Sequence, residues 1–144
     1  MFLIAEELFL MEKPEEARKE LSQYLRFFSN DEEAIYLYGK CYFSSEEYDK
    51  AIDQFSKLIE TNKGEPKYFL GRGNCYIMLE EMDKAEDDLS MALDLNPQLA
   101  QVYMSRGIAR LANDDMEAAC NDFNKAYKFG YLKAIEMIQL HCNK

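Results

Sequence analysis

The most informative part of the chain is residues 73–97, which read GNCYIMLEEMDKAEDDLSMALDLNP. The small residues Gly73 and Ala85 stand on either side of a short acidic turn, and they mark the points at which two helix backbones come close. Leu89 continues the buried stripe that begins at Ala85, because residues i and i+4 share one face of a helix. Pro97 ends the second helix, since proline lacks an amide donor and clashes with the preceding turn. The segment therefore predicts two helices packed back to back.

The same arrangement recurs at a fixed interval of 34 residues. Small residues occupy two columns of this period, one with Ala5, Gly39, Gly73 and Gly107 and the other with Ala17, Ala51, Ala85 and Ala119. A third column is large and apolar, with Leu21, Phe55, Leu89 and Phe123. Several independent columns with one period indicate a tandem repeat in which each unit is one pair of helices.

A period of 34 residues with small, aromatic and proline positions in this order resembles the tetratricopeptide repeat. The resemblance covers nearly the whole chain. It departs at Lys63 and Tyr131, which replace the terminal proline, and at Arg110, which stands where Tyr42 and Tyr76 stand in earlier repeats. The resemblance implies an all-α fold, a right-handed superhelical α-solenoid of antiparallel helix pairs with about nine helices. It also implies a scaffold for protein–protein interactions, since this family binds peptides or helices and is not enzymatic.

The period divides one predicted domain, residues 1–144, into helical repeats. They cover approximately residues 1–31, 32–65, 66–99 and 100–133, and a capping helix at 132–142 covers the last open face. The predicted helices are residues 2–11, 14–27, 31–43, 46–61, 66–79, 82–95, 98–112, 115–129 and 132–141. With 144 residues, of which 48% are hydrophobic, the chain can build a continuous core.

Charge and hydropathy exclude several classes of partner. The formal net charge of −10 disfavours nucleic acid and anionic membrane surfaces, because both attract basic proteins. The alternative explanation of the acidic excess is solubility alone. No segment approaches the roughly 20 apolar residues that cross a bilayer, and the opening MFLIAEELFL contains Glu6 and Glu7, which makes it a poor signal peptide. We predict no nucleic acid partner and no membrane insertion.

The four cysteines do not follow a metal or disulfide pattern. Cys41 and Cys75 occupy one repeat position that faces the core, while Cys120 lies in a predicted helix and Cys142 near the end of the chain. The sequence contains no CxxC pair, so it predicts no metal site, no redox motif and no disulfide framework. Small buried thiols are typical of a reducing compartment, which predicts a cytoplasmic location.

Two charged columns change together along the chain. Arg72 and Arg106 share one repeat position, and Asp88 and Asp122 share another. The preceding repeat has tyrosine at the first of these positions and glutamine at the second. We predict that Arg72 contacts Asp88 and that Arg106 contacts Asp122, each between the two helices of one repeat. The alternative is that these arginines bind a carboxylate of a ligand.

The chain offers no catalytic constellation and no cofactor motif. Its only histidine, His141, is next to Cys142 on a helix, where neighbouring side chains point about 100° apart and cannot act as nucleophile and base. Carboxylate pairs recur at the same turn of each repeat, at Glu46 and Glu47 for example, whereas a catalytic pair would be expected once. We predict that the protein is not an enzyme and binds no cofactor.

By family resemblance, the first helix of each repeat lines a concave groove. The groove-facing positions are Tyr36, Leu37, Lys40, Phe43, Lys67, Leu70, Asn74, Ile77, Met78, Gln101, Met104, Ser105, Ile108 and Leu111. Most of these side chains are apolar, so the predicted ligand is a short apolar segment or an amphipathic helix, with or without flanking acids. The alternative is that several of these residues pack between helices and leave little exposed surface.

Family members that bind chaperone C-termini hold two carboxylates with Lys, Asn, Asn, Lys and Arg at set groove positions. In repeats 2 to 4 these positions hold Tyr36, Lys40, Gly71, Gln101 and Ser105, and in repeats 1 to 3 they hold Phe2, Glu6, Leu37, Lys67 and Gly71. At most Lys67 matches, so we predict no tight binding of an acidic C-terminal tail.

The first predicted helix is apolar most of the way round, which is typical of a buried helix. Its candidate interface residues are Phe2, Leu3, Phe9 and Leu10. Three explanations stay open: the chain is part of a longer array, the helix frays, or a second subunit covers it. The last of these predicts an assembly module that forms a homodimer through the first helix.

Overall fold

In the computed structural model, which describes residues 2–143, these residues form helices joined by short turns and contain no strand. The helices are α1 (Phe2–Leu10), α2 (Pro14–Phe27), α3 (Glu32–Ser44), α4 (Tyr48–Thr61), α5 (Pro66–Met78), α6 (Met82–Leu95), α7 (Ala100–Ala112), α8 (Met116–Lys128) and α9 (Ala134–His141). Each begins and ends within two residues of its predicted bounds. None of these helices is long and apolar enough to cross a membrane.

The helices form two compact units, residues 1–63 with α1 to α4 and residues 64–144 with α5 to α9. We call them unit 1 and unit 2. Residues 1 and 144 of the predicted domain lie outside the described residues, and the organisation as a single domain stays a prediction.

Unit 1 packs its consecutive helices against one another around a core of small and aliphatic side chains. The core cluster contains Ala5, Ala17, Leu21, Ala34, Leu37 and Cys41, with Phe2, Leu8, Phe9, Tyr24, Leu25 and Tyr38 packed against it. Gly39 is needed where α3 crosses α4, because a Cβ atom there would lie 2.9 Å from Cε1 of Phe55.

Unit 2 repeats the same packing from α5 to α9. Its largest fully buried hydrophobic side chains are Phe123, Leu89 and Val102. Leu89 lies against Gly73, and Phe123 lies against Gly107. At Gly107 a Cβ atom would lie only 2.5 Å from Cε1 of Phe123, so the close approach of α7 and α8 requires glycine. The small–large alternation read from the sequence therefore sets how closely the helices of each pair approach.

An acidic residue with a left-handed backbone ends the first helix of each pair. The positive φ angles are 59° at Glu12, 61° at Glu46, 60° at Glu80 and 60° at Asp114. The residue that follows precedes the second helix, and Asp115 caps α8 by accepting a hydrogen bond of 3.2 Å from the amide of Ala118. The recurring carboxylates thus belong to the turns, as their repetition indicates.

The prediction that the cysteines form no disulfide is wrong for one pair. Cys120, near the start of α8, is bonded to Cys142, just after α9, and their Cα atoms lie 5.7 Å apart. An antiparallel helix pair brings these two positions to the same end, which explains the contact despite 22 residues of separation. Cys41 and Cys75 are free and buried, as expected. The cytoplasmic location stays a prediction.

Candidate functional site

Predicted groove residues on α5 and α7 lie on neighbouring helices of unit 2, which contact each other. Leu70, Asn74 and Ile77 on α5 recur at spacings of four and three residues, as do Met104, Ile108 and Leu111 on α7, so each set shares one side of its helix, and Met78 lies next to Ile77. We call this surface the unit 2 face, and its residues are Lys67, Leu70, Asn74, Ile77, Met78, Gln101, Met104, Ser105, Ile108 and Leu111. Met78 and Ile108 are exposed, and the other apolar members are half-buried.

The unit 2 face is not the core side of its helices. α5 buries Phe69 and Cys75, and α7 buries Val102 and Ala109, so these residues satisfy the packing of the helix pairs. Additional apolar side chains beside them remain in contact with solvent. Apolar side chains that stay in contact with solvent on adjacent helices are typical of binding sites where they form one patch.

Polar residues frame the unit 2 face at the first turn of each helix. Lys67 and Gln101 occupy the same repeat position and are exposed, and the ammonium of Lys67 lies 5.8 Å from the ring centroid of Tyr68. Asn74 and Ser105 are half-buried within the face. These side chains can donate hydrogen bonds to a bound backbone or carboxylate, while the apolar members supply contact area.

The four predicted groove residues of unit 1 have different surroundings. Leu37 is only 8% exposed and belongs to the core cluster, so it cannot be part of a surface. The Tyr36 ring lies 5.8 Å from the ring of Phe55. The ammonium of Lys40 lies 5.5 Å from the centroid of the Tyr36 ring, and Phe43 packs edge-on against Tyr48 at 5.3 Å.

A pocket of about 630 Å³ opens in unit 1 where α1 and α3 end. We call it the end pocket, and it is lined by Phe9, Leu10, Glu12, Pro14, Phe43, Ser44, Glu46 and Tyr48. It brings together residues from two separate predictions, since the predicted groove includes Phe43 and the predicted oligomer interface includes Phe9 and Leu10.

The candidate interface residues of α1 divide into packed and exposed side chains. The Phe2 ring lies 5.6 Å from that of Tyr24, and the Phe9 ring lies 5.0 Å from the ammonium of Lys40. Leu3 and Leu10, in contrast, are 77% and 80% exposed. The outer side of α1 therefore presents apolar surface to solvent in this structure.

The predicted ion pairs of unit 2 are present. Nε and Nη2 of Arg72 each donate a hydrogen bond of 2.8 Å to Asp88, and the same nitrogens of Arg106 donate bonds of 2.9 and 2.8 Å to Asp122. Asp122 also accepts a bond of 3.0 Å from Arg110. Hydrogen bonding to Asp88 raises the pKa of Arg72 above its ordinary value. These arginines hold helix pairs together, which confirms the structural prediction.

Neither free thiol is activated as a nucleophile. Burial raises the pKa of the Cys41 thiol to about 11 and that of the Cys75 thiol to about 12, so both are poor nucleophiles. Among residues 2–143 no group of three or more metal-ligating side chains comes together.

The end pocket could not be predicted from the sequence, because sequence motifs carry no information on the shape of a surface. The contact between Cys120 and Cys142, in contrast, could have been predicted, because the last two predicted helices are antiparallel and bring these positions to the same end.

One family model matches the sequence. It is described as ANAPC3, anaphase-promoting complex, cyclosome, subunit 3, and it aligns with residues 4–92, which is more than half of the chain. No curated protein matches at a significant level.

Several solved structures share the fold over most of the chain. The structure of MamA has a TM-score of 0.85 and 20% identity, covering 96% of this chain and 82% of MamA. The tetratricopeptide protein TTC0263 from Thermus thermophilus has a TM-score of 0.81 and 15% identity, covering 90% of this chain and 72% of that one. The first such domain of Spaghetti (RPAP3), bound to the HSP90 peptide SRMEEVD, has a TM-score of 0.73 and 26% identity over 77% and 90%. The predicted fold class, an all-α solenoid of helix pairs, is confirmed.

Proposed function

Because the chain belongs to the tetratricopeptide-type family whose model is described as anaphase-promoting complex, cyclosome, subunit 3, we propose that it is a non-enzymatic scaffold that binds a segment of another protein. Within unit 2 the segment lies across α5 and α7. The observation that carries this proposal is the unit 2 face, where apolar side chains of two adjacent helices stay in contact with solvent beside a complete core.

The chemistry of the unit 2 face defines the proposed ligand. Met78 and Met104 are flexible and adapt to different partner side chains, while Ile77 and Ile108 offer branched surface. Lys67 and Gln101 are positioned at the ends of the helices to bind backbone groups or flanking carboxylates. The ligand is therefore a short apolar segment or the apolar side of an amphipathic helix.

Substitutions in the unit 2 face test this proposal. Peptides selected on the wild-type protein from a random display library serve as the probe. We expect Met78→Glu with Ile108→Glu, at the two exposed positions, to weaken their binding at least tenfold, since each buried apolar side chain contributes roughly 1.5–3 kcal/mol. Leu70→Glu with Met104→Glu should abolish it.

The matched control changes two exposed apolar residues of α6, Met91→Glu with Leu95→Glu, and should leave binding unchanged. Binding that survives both face variants places the ligand elsewhere. A loss of helicity or a much lower melting temperature in Leu70→Glu with Met104→Glu means that these residues are core.

The acidic peptide SRMEEVD, which is bound to the Spaghetti (RPAP3) domain, tests specificity. We propose that this chain does not bind it tightly, because only Lys67 matches the carboxylate-binding positions. Micromolar or better affinity that is abolished by Lys67→Ala would contradict the proposal.

Assembly through α1 is the second candidate function, and the exposure of Leu3 and Leu10 favours it. Under this proposal a second copy covers the outer side of α1. Leu3→Glu should convert the dimer to a monomer without loss of helicity, because Phe2 and Phe9 keep α1 packed in unit 1. Light scattering measures the mass, and an unchanged mass excludes α1 as the interface.

A further inference from the structure

Unit 1 carries two surface features that fit each other and that the proposed binding face does not use. The first is the end pocket, and we call its lining residues Phe9, Phe43 and Tyr48 the floor and its lining residues Glu12 and Glu46 the rim. The second is the last turn of α2, where Arg26 and Phe27 are both exposed.

The floor of the end pocket is aromatic. Phe43 and Tyr48 meet edge-on with ring centroids 5.3 Å apart, and Phe9 adds a third ring. The volume of about 630 Å³ lies in the range of ligand-binding pockets and has room for a large side chain. The corresponding turn of unit 2, around Glu80 and Asn113, has a pocket of about 300 Å³ without any aromatic lining. Of these two pockets, only the one in unit 1 is lined by aromatic side chains.

The rim of the end pocket carries Glu12 and Glu46. Each amide donates a hydrogen bond of 3.0 Å to the carbonyl three residues earlier, which fixes the root of the side chain at the edge of the pocket. Among residues 2–143 neither carboxylate has an ion-pair partner. The next residue, Glu47, in contrast binds both Arg18 and Lys50. The end pocket therefore presents two uncompensated negative charges beside aromatic surface.

The last turn of α2 presents the complementary pair. Phe27 is 76% exposed, although the next residue, Phe28, stacks on Tyr24 at 4.7 Å. Arg26 precedes Phe27, is exposed and has no ion-pair partner among the described residues. An aromatic side chain beside a cation is the chemistry that the end pocket accommodates.

We infer that the end pocket of one chain binds Phe27 of a second copy, with Arg26 of that copy paired to Glu12 and Glu46. The contact joins two different surfaces, so it is heterologous and can extend from copy to copy. It gives the assembly function a contact that includes Leu10 of α1 but not Leu3, and it does not depend on the unit 2 face.

Net charge works against this contact at long range, because each copy carries −10. At physiological ionic strength the Debye length is about 8 Å, which confines that repulsion to groups near the interface. The attraction between Arg26 and the rim acts within this distance and is therefore not screened.

Charge reversal tests the contact in the full chain, with mass measured by sedimentation and light scattering over a concentration series. We expect the wild type to self-associate. Arg26→Glu and, separately, Glu12→Lys with Glu46→Lys should each weaken association at least tenfold. An equimolar mixture of the two variants should associate again, because each contact between one variant and the other then joins opposite charges. Phe27→Ser should weaken association at least tenfold. Mixed with Arg26→Glu it should remain weakly associated, whereas mixed with the Glu12→Lys, Glu46→Lys variant it should pair, because the unchanged Arg26 and Phe27 of that variant meet the unchanged end pocket of Phe27→Ser.

The matched control is Glu80→Lys with Asp114→Lys, which makes the same charge change at the equivalent turns of unit 2 and should not alter association. A wild type that remains monomeric at the highest concentration overturns the inference. Association that survives both charge reversals, or that Leu3→Glu removes while both reversals leave it intact, also overturns it and assigns the interface to another surface.

Discussion

The hairpin of α3 and α4 in unit 1 and the two hairpins of unit 2 fill the same position between their helices differently. In unit 2 an arginine of the first helix binds an aspartate of the second through two hydrogen bonds. In unit 1 the arginine position holds Tyr38, whose hydroxyl accepts a hydrogen bond of 3.0 Å from Tyr42 on the same helix. Burial is the main cause that raises the pKa of Tyr38 to about 12.

The comparison shows that the residues that set the distance between two paired helices differ from the residues that fill the space between them. The glycine and alanine columns are alike in the two units, and the helices pack in the same way. A charged pair and an aromatic side chain both fit between them. A buried charge needs a partner of opposite charge, so the arginine and aspartate columns change together. In unit 1 the neutral Tyr38 needs no charged partner, and the aspartate position holds the neutral Gln54.

The largest expected effect is the removal of a buried partner in unit 2. Asp122→Ala leaves Arg106 and Arg110 without their shared acceptor, which is 1% exposed. Breaking a buried pair in this way costs about 3–5 kcal/mol of unfolding free energy. Tyr38→Phe in unit 1 removes one neutral hydrogen bond and should cost about 1 kcal/mol. Urea denaturation of the two variants measures both values.

A double replacement sharpens the same comparison. Arg72→Met with Asp88→Leu removes both charges and should cost much less than Asp88→Ala alone, because no unpaired charge remains. Equal losses for Asp122→Ala and Tyr38→Phe would mean that the ion pairs do not distinguish the two units.

The disulfide is the second difference, since only unit 2 has one among the described residues. It closes a loop of 22 residues, and in the chain-entropy account this stabilises unit 2 by about 3 kcal/mol. Cys142→Ser should therefore lower the unfolding free energy by this amount under non-reducing conditions. Adding dithiothreitol should lower the wild type to the value of the variant and leave the variant unchanged. A wild type insensitive to the reductant contradicts a stabilising bond.

The three helix-crossing glycines should differ in their tolerance of a methyl group. In Gly107→Ala the new Cβ lies 2.5 Å from the buried Phe123 ring, so the ring must shift at a cost of about 1–3 kcal/mol. Gly39→Ala, at 2.9 Å from Phe55, should cost less. Gly73→Ala, at 3.0 Å from Leu89, should be nearly neutral, because alanine gains about 1 kcal/mol of helix propensity. Thermal denaturation checks this order, and a larger loss at Gly73 would contradict it.

The two free thiols give one pH-dependent comparison between the units. Burial raises the pKa of Cys41 from 9.0 to about 11, with Arg18 and Lys40 opposing the rise. Burial raises that of Cys75 to about 12, and Asp88 adds to the rise. A folded-state pKa above the unfolded value stabilises the protein fully below pH 9, and this contribution is lost as pH rises through the folded pKa.

The measurement is the unfolding free energy of wild type against Cys41→Ala and Cys75→Ala as pH increases above 9. Each thiol should account for a loss of about 1 kcal/mol in the first pH unit. The loss due to Cys75 should continue to higher pH than that due to Cys41. If the plots of unfolding free energy against pH for the wild type and a variant stay parallel, that thiol has the same pKa in the folded and unfolded states.

Much of the fold could be predicted because the period sets small and large residues at repeated positions. The ion pairs followed from two columns that change together. The position of Leu37 could not be predicted in this way, because its column holds Gly71 and Ser105 in later repeats. In α3 the larger side chain of Leu37 belongs to the core cluster of unit 1.

The candidate surfaces were predictable only as helix faces. The spacing of residues on α5 and α7 identified one face, but the end pocket depends on how two turns and three rings meet in space. The left-handed turns were also missed, because a carboxylate stands where glycine is the usual signal. At Glu46 the sequence therefore predicts a charged turn residue but does not predict its left-handed backbone conformation.

The smallest expected effect concerns these turns. Glu80 and Asp114 both have φ of 60°, a conformation that disfavours residues with a Cβ atom by about 1–2 kcal/mol. Glycine removes this strain but loses about 0.5–1 kcal/mol through its greater freedom in the unfolded chain. Glu80→Gly should thus raise the unfolding free energy by less than about 1 kcal/mol. Asp114→Gly should gain less, because aspartate adopts this conformation more readily than glutamate. Urea denaturation in parallel resolves the pair, and a destabilised Glu80→Gly would mean that its carboxylate makes a favourable interaction at the turn.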